Sequence, residues 1–424
     1  MSDPRHPAAT AGGSSATARE HALALDAADP LAGFRVRFEM AADDGIYLDG
    51  NSLGRLPVAT RSRVATVLDQ WSTELVSGWP DWIDLPLRAG DAIGALVGAA
   101  PGEVVATDST TVNLYKLVQA AVELRGGGAL VTDRGNFPTD RYVLEGIAAA
   151  RGLELRIFDS DELYGPVEAD LGGLGAGDVV VLSHVAYRSG ALADMAALTA
   201  AARSRGATLI WDLSHSAGAV PVDLRGAGAE LAVGCTYKYL NAGPGAPGYL
   251  YVAAELQREL RSPVQGWFGQ SDQFAMERDY DPVPGIGRFL AGTPPILQLA
   301  AVEEGAKLTA EAGLAAIREK SVGLTKLVVA LHDEWLAPLG FELGSPRDPA
   351  GRGSHVSVDH PRAWTFTRAL IDAGVTPDFR GPDSIRLGIA PLYTSFTEVW
   401  DALDRLRAIA ARDDLPDAPP ARVT

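Results

Sequence analysis

The sequence of 424 residues is poor in cysteine, in lysine and in long apolar runs. Its single cysteine, Cys235, excludes an internal disulfide framework and a zinc site built from cysteines. No apolar run reaches the roughly 18 residues that a membrane-spanning helix needs. Acidic residues outnumber basic ones by 54 to 37, and the net charge of −17 disfavours non-specific binding to nucleic acids or anionic membranes. We therefore predict a soluble, cytoplasmic protein without a nucleic-acid or membrane partner.

The rest of the composition, 47% hydrophobic and 21% charged, is typical of a globular chain, and the length favours two or three domains. Residues 1–18 are small and polar and lack an apolar segment behind a basic one, which predicts a disordered tail and no secretory signal. We divide the remainder into an N-terminal segment (19–60) that packs with the small domain, a large domain (61–300) and a small C-terminal domain (301–424).

Short apolar segments alternate with helical patterns from about residue 100 onward. Strands rich in Val, Ile and Leu on both faces are typical of a parallel sheet covered by helices on both sides. The candidate strands of the large domain are EVVATD (103–108), GALVTD (128–133), LELRIFD (153–159), VVVLSHV (179–185), ATLIWDL (207–213), LAVGCTY (231–237) and GYLYVA (248–253). Past residue 300 the strand signals are fewer, at 355–360 and 384–390. The sequence predicts an α/β fold with a mainly parallel seven-stranded sheet and a smaller α+β domain.

The scarcity of lysine narrows the search for a reactive amine to five residues. Lys238 ends the apolar segment LAVGCTY and precedes the glycine-rich loop LNAGPGAPG. A strand-end lysine in apolar surroundings can form an imine with a carbonyl compound, and the structural alternative is a lysine that extends to solvent. The other four lie on helical patterns and are predicted to be solvated surface groups: Lys116, Lys307, Lys320 and Lys326.

Polar groups also follow other predicted strands. Asp212 ends ATLIWDL, at the sheet edge where ligands bind in open α/β folds, and a carboxylate there can pair with a pyridinium nitrogen. A ribose-binding acid or a helix cap is the alternative, although no GxGxxG motif supports a dinucleotide site. Thr107, Ser109, Thr110 and Thr111 stand at the entry to a helix, where hydroxyl and N–H groups either cap the helix or bind phosphate.

An aromatic residue completes this set. Phe137 and Asp140 follow the strand GALVTD, and Phe137 can stack on a flat ring or simply pack in the core. A lysine, an acid, a phosphate-binding turn and an aromatic ring at one sheet edge together describe a pyridoxal-phosphate (PLP) site.

Several longer motifs resemble the kynureninase family, PLP-dependent hydrolases of the aminotransferase fold type I. The resemblance covers residues 47 to 396 in order, and TYKYLN followed by GPGAPG is its most specific part. The motifs are YLDGNSLGRLP (47–57), GNFPTDRY (135–142), DLSHSAGAVPVDL (212–224), VGCTYKYLNAGPGAPGYLYV (233–252), QGWFG (265–269), GIGRFLAGTPPI (285–296), RGSHVS (352–357), PDFR (377–380) and IRLGIAPLYTSF (385–396).

The resemblance implies roles for individual residues. Lys238 is expected to bind PLP covalently, Asp212 to bind the pyridinium nitrogen, and Phe137 to stack on the ring with Asp140 close by. His215 is expected near the cofactor. The residues expected to hold the phosphate are Thr110 and Thr111, helped by Tyr237, Trp267 and Thr293.

The implied reaction is hydrolytic cleavage of the Cβ–Cγ bond of L-kynurenine to anthranilate and L-alanine, in tryptophan catabolism or NAD biosynthesis. The planar guanidinium group of Arg386 is expected to bind the substrate α-carboxylate through two hydrogen bonds, and Tyr237 is expected to act as general acid and base. His184 has a site role or a structural one, and Trp79 or Trp82 either packs against the substrate ring or belongs to the core. The resemblance also implies a homodimer with active sites at the interface. It leaves open which residues cross the interface, and our candidates are Trp267 and Thr293.

Some positions depart from common family versions. Ser214 stands where alanine is frequent, Thr293 stands where animal members carry asparagine, and no histidine lies between His21 and His184. The last two features resemble bacterial members, which favour kynurenine over 3-hydroxykynurenine. A cysteine desulfurase or a related lyase is the enzymatic alternative, but it requires a mobile cysteine. A non-catalytic PLP-binding regulator is the other alternative, and it requires a separate DNA-binding module.

Overall fold

The computed structural model describes residues 16–40, 45–276, 279–412 and 415. Residues 1–15 of the predicted tail lie outside the described residues, whereas the carbonyl of Thr17 accepts a hydrogen bond from Trp400 Nε1 at 2.8 Å. The helices in the described part are α1 (Arg19–Ala27), α2 (Val58–Glu74), α3 (Trp79–Trp82), α4 (Leu85–Gly94), α5 (Thr110–Arg125), α6 (Pro138–Arg151), α7 (Met195–Ser204), α8 (Ile296–Ala312), α9 (Leu314–Leu331), α10 (Ala363–Asp372) and α11 (Phe396–Ala410). The strands are β1 (Ile46–Tyr47), β2 (Val104–Ala106), β3 (Leu130–Asp133), β4 (Leu155–Phe158), β5 (Val179–Ser183), β6 (Thr208–Asp212), β7 (Leu231–Gly234), β8 (Tyr249–Val252), β9 (Glu342–Leu343), β10 (His355–Asp359), β11 (Val375–Thr376), β12 (Asp378–Arg380) and β13 (Ser384–Gly388).

The large sheet has seven strands in the order β2-β8-β7-β6-β5-β3-β4. Strand β8 runs antiparallel to both of its neighbours, and the other pairings are parallel. This confirms the predicted mainly parallel seven-stranded sheet. Because parallel strands share one direction, the carboxyl ends of β3, β5, β6 and β7 meet at one edge of the sheet.

Both faces of this sheet are buried, as the apolar composition of its strands predicts. Val180 and Trp211 face one apolar cluster, which includes residues of α4, α7 and α8. Val179 and Ile210 face the other, which includes residues of α5 and α6. The alternation follows the two-residue period of a strand, so the large domain has three layers with the sheet in the middle.

Local sequence signals explain where the helices next to the sheet edge begin and end. Ser109 caps α5 by accepting a hydrogen bond from the Val112 N–H at 3.3 Å. The helix ends before Gly126, whose left-handed φ of 82° is a conformation that favours glycine. Pro138 occupies the first position of α6, where its missing N–H costs nothing. Both helices therefore start directly at the carboxyl edge of the sheet.

The C-terminal part contains an antiparallel sheet in the order β12-β13-β10-β9, packed with α9, α10 and α11. The N-terminal segment joins it, because β1 pairs in parallel with β11. Asp26 also accepts a hydrogen bond from the Phe396 N–H at the start of α11, at 2.7 Å. None of the helices in the described ranges combines the length and apolar character needed to cross a bilayer.

Two lysines correct the sequence-based prediction of solvated surface groups. The side chain of Lys116 is fully buried within α5. Lys320 is buried on α9, with its Nζ 2.7 Å from Asp29 Oδ2. The apolar periodicity of a helix does not reveal this burial, because the partner carboxylates lie outside the helices. Lys116 pairs with Asp108 in the turn before α5, and Lys320 pairs with Asp29 in the N-terminal segment. Lys307 is exposed as predicted.

Candidate active site

A cavity of about 260 Å³ opens at the carboxyl edge of the large sheet. Asp212 ends β6, Ser183 ends β5, and Lys238 follows β7 by four residues. The cavity is lined by Thr110, Thr111, Phe137, Thr139, Asp140, Ser183, Tyr187, Asp212, Ser214, His215, Tyr237 and Lys238. The fold thus brings together eight of the predicted site residues, which are separated by up to 128 positions in the sequence (110 to 238).

Lys238 extends into this cavity among aromatic rings. Its Nζ lies 2.9 Å from Nε2 of His215, 5.9 Å from the centre of the Phe137 ring and 6.0 Å from that of Tyr237. Burial and the positive charge of Lys238 hold the pKa of His215 well below its usual value. His215 is therefore neutral and accepts a hydrogen bond from the lysine amine.

Two carboxyl groups share the floor of the cavity. Asp212 is buried and its Oδ1 accepts a hydrogen bond from the Ser214 N–H at 2.8 Å. Burial and the neighbouring Asp212 carboxylate raise the pKa of Asp140 well above its usual range. The raised pKa favours the protonated form of Asp140, which can donate a hydrogen bond.

The first turn of α5 has the features of an anion site. The hydroxyl of Thr110 is buried and has no hydrogen-bond partner. Gly248 packs closely against Thr110. A Cβ atom added at Gly248 would lie 2.9 Å from the Thr110 nitrogen and 3.1 Å from Thr110 Oγ1. An unpartnered hydroxyl beside free N–H groups at a helix N-terminus fits a phosphate group. The residues present therefore fit PLP: an amine for its aldehyde, an acid for its ring nitrogen and a helix terminus for its phosphate.

Tyr237 lines the cavity next to Lys238 in sequence. The neighbouring Cys235 and burial both raise the pKa of its phenol above the usual value. Burial likewise raises the pKa of the Cys235 thiol. Both groups are thus uncharged at neutral pH, and Cys235 does not provide a thiolate.

Arg386 lies behind the cavity wall and is buried. Its Nη1 donates to the Tyr187 carbonyl at 2.7 Å, and Tyr187 itself lines the cavity. Its Nη2 donates to Ser52 Oγ at 3.0 Å and contacts the Asp378 carboxylate, while Nε lies 2.8 Å from the Asn51 amide. Asp378 faces Arg386 directly in the pairing of β12 with β13. The guanidinium is therefore held on several sides, and Arg386 itself is not among the residues that line the cavity.

Two predicted cofactor residues do not reach this cavity within the chain. Trp267 is half-exposed and stacks edge-on against Phe268 and Phe274. Thr293 lines a second cavity of about 260 Å³ together with Thr107, Asp108 and Ser109, beside the first turn of α5. Neither residue lines the Lys238 cavity, so their proposed role depends on a second copy of the chain.

Of the residues with two alternative predictions, His184 and Trp82 are buried and Trp79 is partly buried. His184 packs edge-on against Trp211, with ring centres 5.8 Å apart, and burial lowers its pKa to about 4. Trp79 and Trp82 pack edge-on against each other at 5.9 Å and join the apolar core. These contacts favour the structural alternative for all three.

Sequence reasoning missed several lining residues. Ser183 is the last residue of β5, and its hydroxyl donates to Asn136 Oδ1 at 2.6 Å. The signal that pointed to Asp212, a polar residue at a strand end, applied equally to Ser183. Tyr187 lies in the loop after β5, which no local pattern distinguished, and its ring meets Phe137 edge-on at 5.3 Å.

The fold and this site define a PLP-dependent enzyme of the aminotransferase class-V type, and the model of that family matches residues 87–344. The solved structures show the same fold: an apo cysteine desulfurase from Thermococcus onnurineus NA1 aligns with a TM-score of 0.75 and 20% identity, covering 89% of this chain and 98% of that one. A lysine-to-alanine mutant of C-DES with glycine covalently linked to its PLP cofactor aligns with a TM-score of 0.78 and 19% identity, covering 88% and 98%.

The more specific relationship comes from sequence. The model of the kynureninase C-terminal domain matches residues 317–406. A kynureninase from Pseudomonas fluorescens is 46% identical over 407 residues, which are 93% of this chain and 96% of the relative. The chain belongs to the kynureninase family, the PLP-dependent hydrolases that cleave the Cβ–Cγ bond of L-kynurenine to anthranilate and L-alanine.

Proposed function

We propose that the cavity around Lys238 is where this kynureninase-family enzyme holds PLP and hydrolyses L-kynurenine. The observation that carries the proposal is the convergence of an amine, a pair of carboxyl groups, an aromatic ring and an anion-binding helix terminus on one cavity. Lys238 is the covalent attachment point, Asp212 pairs with the ring nitrogen, and Phe137 stacks on the ring. The first turn of α5, with Thr110 and Thr111, receives the phosphate.

Bound PLP supplies an electron sink for the negative charge that develops on the substrate when its Cα–H bond breaks. Asp212 supports this chemistry because a carboxylate favours the protonated form of the ring nitrogen. The raised pKa of Asp140 beside it favours a neutral carboxyl group at that position. A second ionised carboxylate would add a charge with no partner in a buried place.

Lys238 moves the first proton. With PLP and substrate bound, the free amine of Lys238 would remove the proton from Cα of the substrate. The neutral ring of His215, 2.9 Å from Nζ, directs the amine without competing for that proton.

Tyr237 handles the protons of the hydrolytic half of the reaction. Water adds to the γ-carbonyl, and the Cβ–Cγ bond then breaks to release anthranilate. Because its pKa is raised, the phenol holds its proton at neutral pH and can deliver it to the substrate when that bond breaks. The remaining three-carbon fragment leaves as L-alanine.

Arg386 is proposed to bind the substrate α-carboxylate. A guanidinium matches a carboxylate in a planar, two-pronged geometry. Asn51, Ser52 and Asp378 hold the guanidinium, and its Nη1 donor is paired with the carbonyl of Tyr187, a residue that lines the cavity. The substrate carboxylate would therefore replace the Tyr187 carbonyl as the acceptor of the hydrogen bond from Arg386 Nη1.

We further propose that the enzyme is a cytoplasmic homodimer and that Trp267 and Thr293 complete the partner subunit's site. The half-exposed Trp267 and the location of Thr293 beside the start of α5 support this arrangement. Thr293, and the absence of a histidine between His21 and His184, support a preference for kynurenine over 3-hydroxykynurenine.

The deciding experiment is to incubate the PLP-loaded full-length chain with L-kynurenine and to measure anthranilate by fluorescence and L-alanine by chromatography. Equal amounts of both products are expected, with a higher kcat/KM for kynurenine than for 3-hydroxykynurenine. Normal PLP loading without product would favour a regulator. Alanine released from cysteine would favour a desulfurase, which the buried, protonated Cys235 argues against.

A further inference from the structure

Lys116 is a fully buried amine that the proposed mechanism does not use. It lies on α5, less than two turns after the residues proposed to receive the phosphate. Its Nζ donates to the Asp108 carboxylate and, at 2.7 Å, to the carbonyl of Phe289. Burying a charged amine has a large desolvation cost, so its two partners are the structural reason for its position.

Asp108 has an unusual conformation. It is one of a few described residues other than glycine with a left-handed backbone, at φ 43°, and it immediately precedes Ser109, the cap of α5. Its carbonyl accepts a hydrogen bond from the Gly248 N–H at 2.7 Å, and its carboxylate accepts one from Thr107 Oγ1 at 3.1 Å. A left-handed aspartate costs free energy and persists only where surrounding contacts hold it.

The location of this carboxylate matters for anion binding. Asp108 stands two residues before Thr110, whose unpartnered hydroxyl marks the anion site. A negative charge so close to a phosphate group is repulsive unless it is neutralised. Lys116 approaches the partly exposed Asp108 carboxylate from the buried side and forms an ion pair that neutralises it.

We propose that Lys116 is a positioning residue for the cofactor phosphate: it cancels the charge of Asp108 and fixes the 107–109 turn against the first turn of α5. The hydrogen bond from Lys116 to the Phe289 carbonyl also fixes a second segment of the chain, because Phe289 precedes the segment that carries Thr293. Lys116 thereby joins the two chain segments that line the cavity beside the start of α5. This inference rests on the proposed function, since it requires PLP phosphate at Thr110.

The test measures PLP affinity separately from turnover. The full-length chain is stripped of PLP, and its Kd is measured by absorbance and fluorescence titration for the wild type, Lys116→Met, Asp108→Asn and the double variant. We expect Lys116→Met to weaken PLP binding about tenfold, because it exposes the phosphate to an unpaired carboxylate. The Kd of Asp108→Asn is expected to stay within about threefold of the wild-type Kd, and the Kd of the double variant is expected to return to the same range.

The matched control is Lys307→Met, which removes an exposed lysine and is expected to leave the Kd unchanged. A Kd of Lys116→Met within twofold of the wild type would overturn the proposal, and so would a double variant as weak as Lys116→Met. If Lys116→Met does not fold, a tenfold loss of affinity in Asp108→Asn alone overturns it. Wild-type protein that fails to bind PLP, or that binds it without releasing anthranilate, would contradict the proposed function instead.

Discussion

Nζ of Lys238 lies 2.9 Å from Nε2 of His215, although 22 residues separate the two in the sequence. Lys238 follows β7 and His215 follows β6, and these neighbouring parallel strands end at the same edge of the sheet. Burial and the charge of Lys238 lower the pKa of His215, and the neutral ring accepts a hydrogen bond from the lysine. The pair therefore lies at the centre of the cavity that the two strand ends form.

Replacing Lys238 by alanine tests the attachment point. Lys238→Ala is expected to lose both the absorbance of covalently bound PLP and the turnover of kynurenine, because no other amine lines the cavity within the described residues. Absorption spectra and anthranilate release measure the two effects. The exposed Lys307→Ala serves as the control, and retained steady-state activity in Lys238→Ala would refute the assignment.

Replacing Arg386 by glutamine tests substrate binding. Arg386→Gln loses a charge-assisted contact worth about 2 kcal/mol, so kcat/KM for kynurenine should fall roughly thirtyfold, mainly through KM. Steady-state kinetics at saturating PLP measures this split. Arg347→Gln, which removes an exposed arginine paired with Asp333, should leave both constants unchanged. An unaltered KM in Arg386→Gln, with normal PLP absorbance, would show that the carboxylate binds elsewhere.

The two carboxyl groups of the cavity should respond differently to the same substitution. Because the raised pKa keeps Asp140 protonated, Asp140→Asn replaces one neutral donor by another and should retain activity within about tenfold. Asp212→Asn removes the charge that supports the ring nitrogen and should reduce kcat by about a thousandfold or more. Turnover and PLP absorbance of the two variants are compared side by side. Equal losses in both would mean that Asp140 is ionised.

The buried pair of Lys320 and Asp29 should matter for stability and not for chemistry. Both side chains are almost fully buried, with Nζ 2.7 Å from Oδ2, so Lys320→Met leaves an unpaired buried carboxylate and should cost about 3 kcal/mol. Urea unfolding measures the loss. The exposed Lys307→Met should change the free energy of unfolding by less than about 1 kcal/mol. A small loss in Lys320→Met would indicate that water reaches Asp29.

His184 should make the protein sensitive to acid. Burial lowers its pKa from 6.5 to about 4, so between these pH values the unfolded chain binds a proton that the folded protein does not. Stability is therefore lost as the pH falls through this range, by about 3 kcal/mol from this residue. Urea unfolding at pH 7 and pH 4.5 should show a smaller acid loss in His184→Gln than in the wild type. Parallel losses in both proteins would contradict a buried, neutral His184.

Local patterns were sufficient for most elements of the large domain. The seven apolar segments became the seven strands, because buried parallel strands need apolar side chains on both faces. The order of those strands was not predictable, since β8 inserts between β2 and β7 through contacts distant in sequence. The roles of Lys238, Asp212 and Arg386 remain predictions that the variants above test.

The sequence by itself determined the fold class and the family, because these depend on motifs made of adjacent residues, and it singled out Lys238 as the candidate for the reactive lysine. Only the tertiary structure decided which polar groups are neutral and which are paired. Burial and approach between distant segments set those states: Asp140 against Asp212, Lys116 against Asp108, and Arg386 between Asp378 and the 51–52 turn. A lysine on a helical pattern looks the same whether it faces water or a buried carboxylate, and the packing of the chain makes that choice.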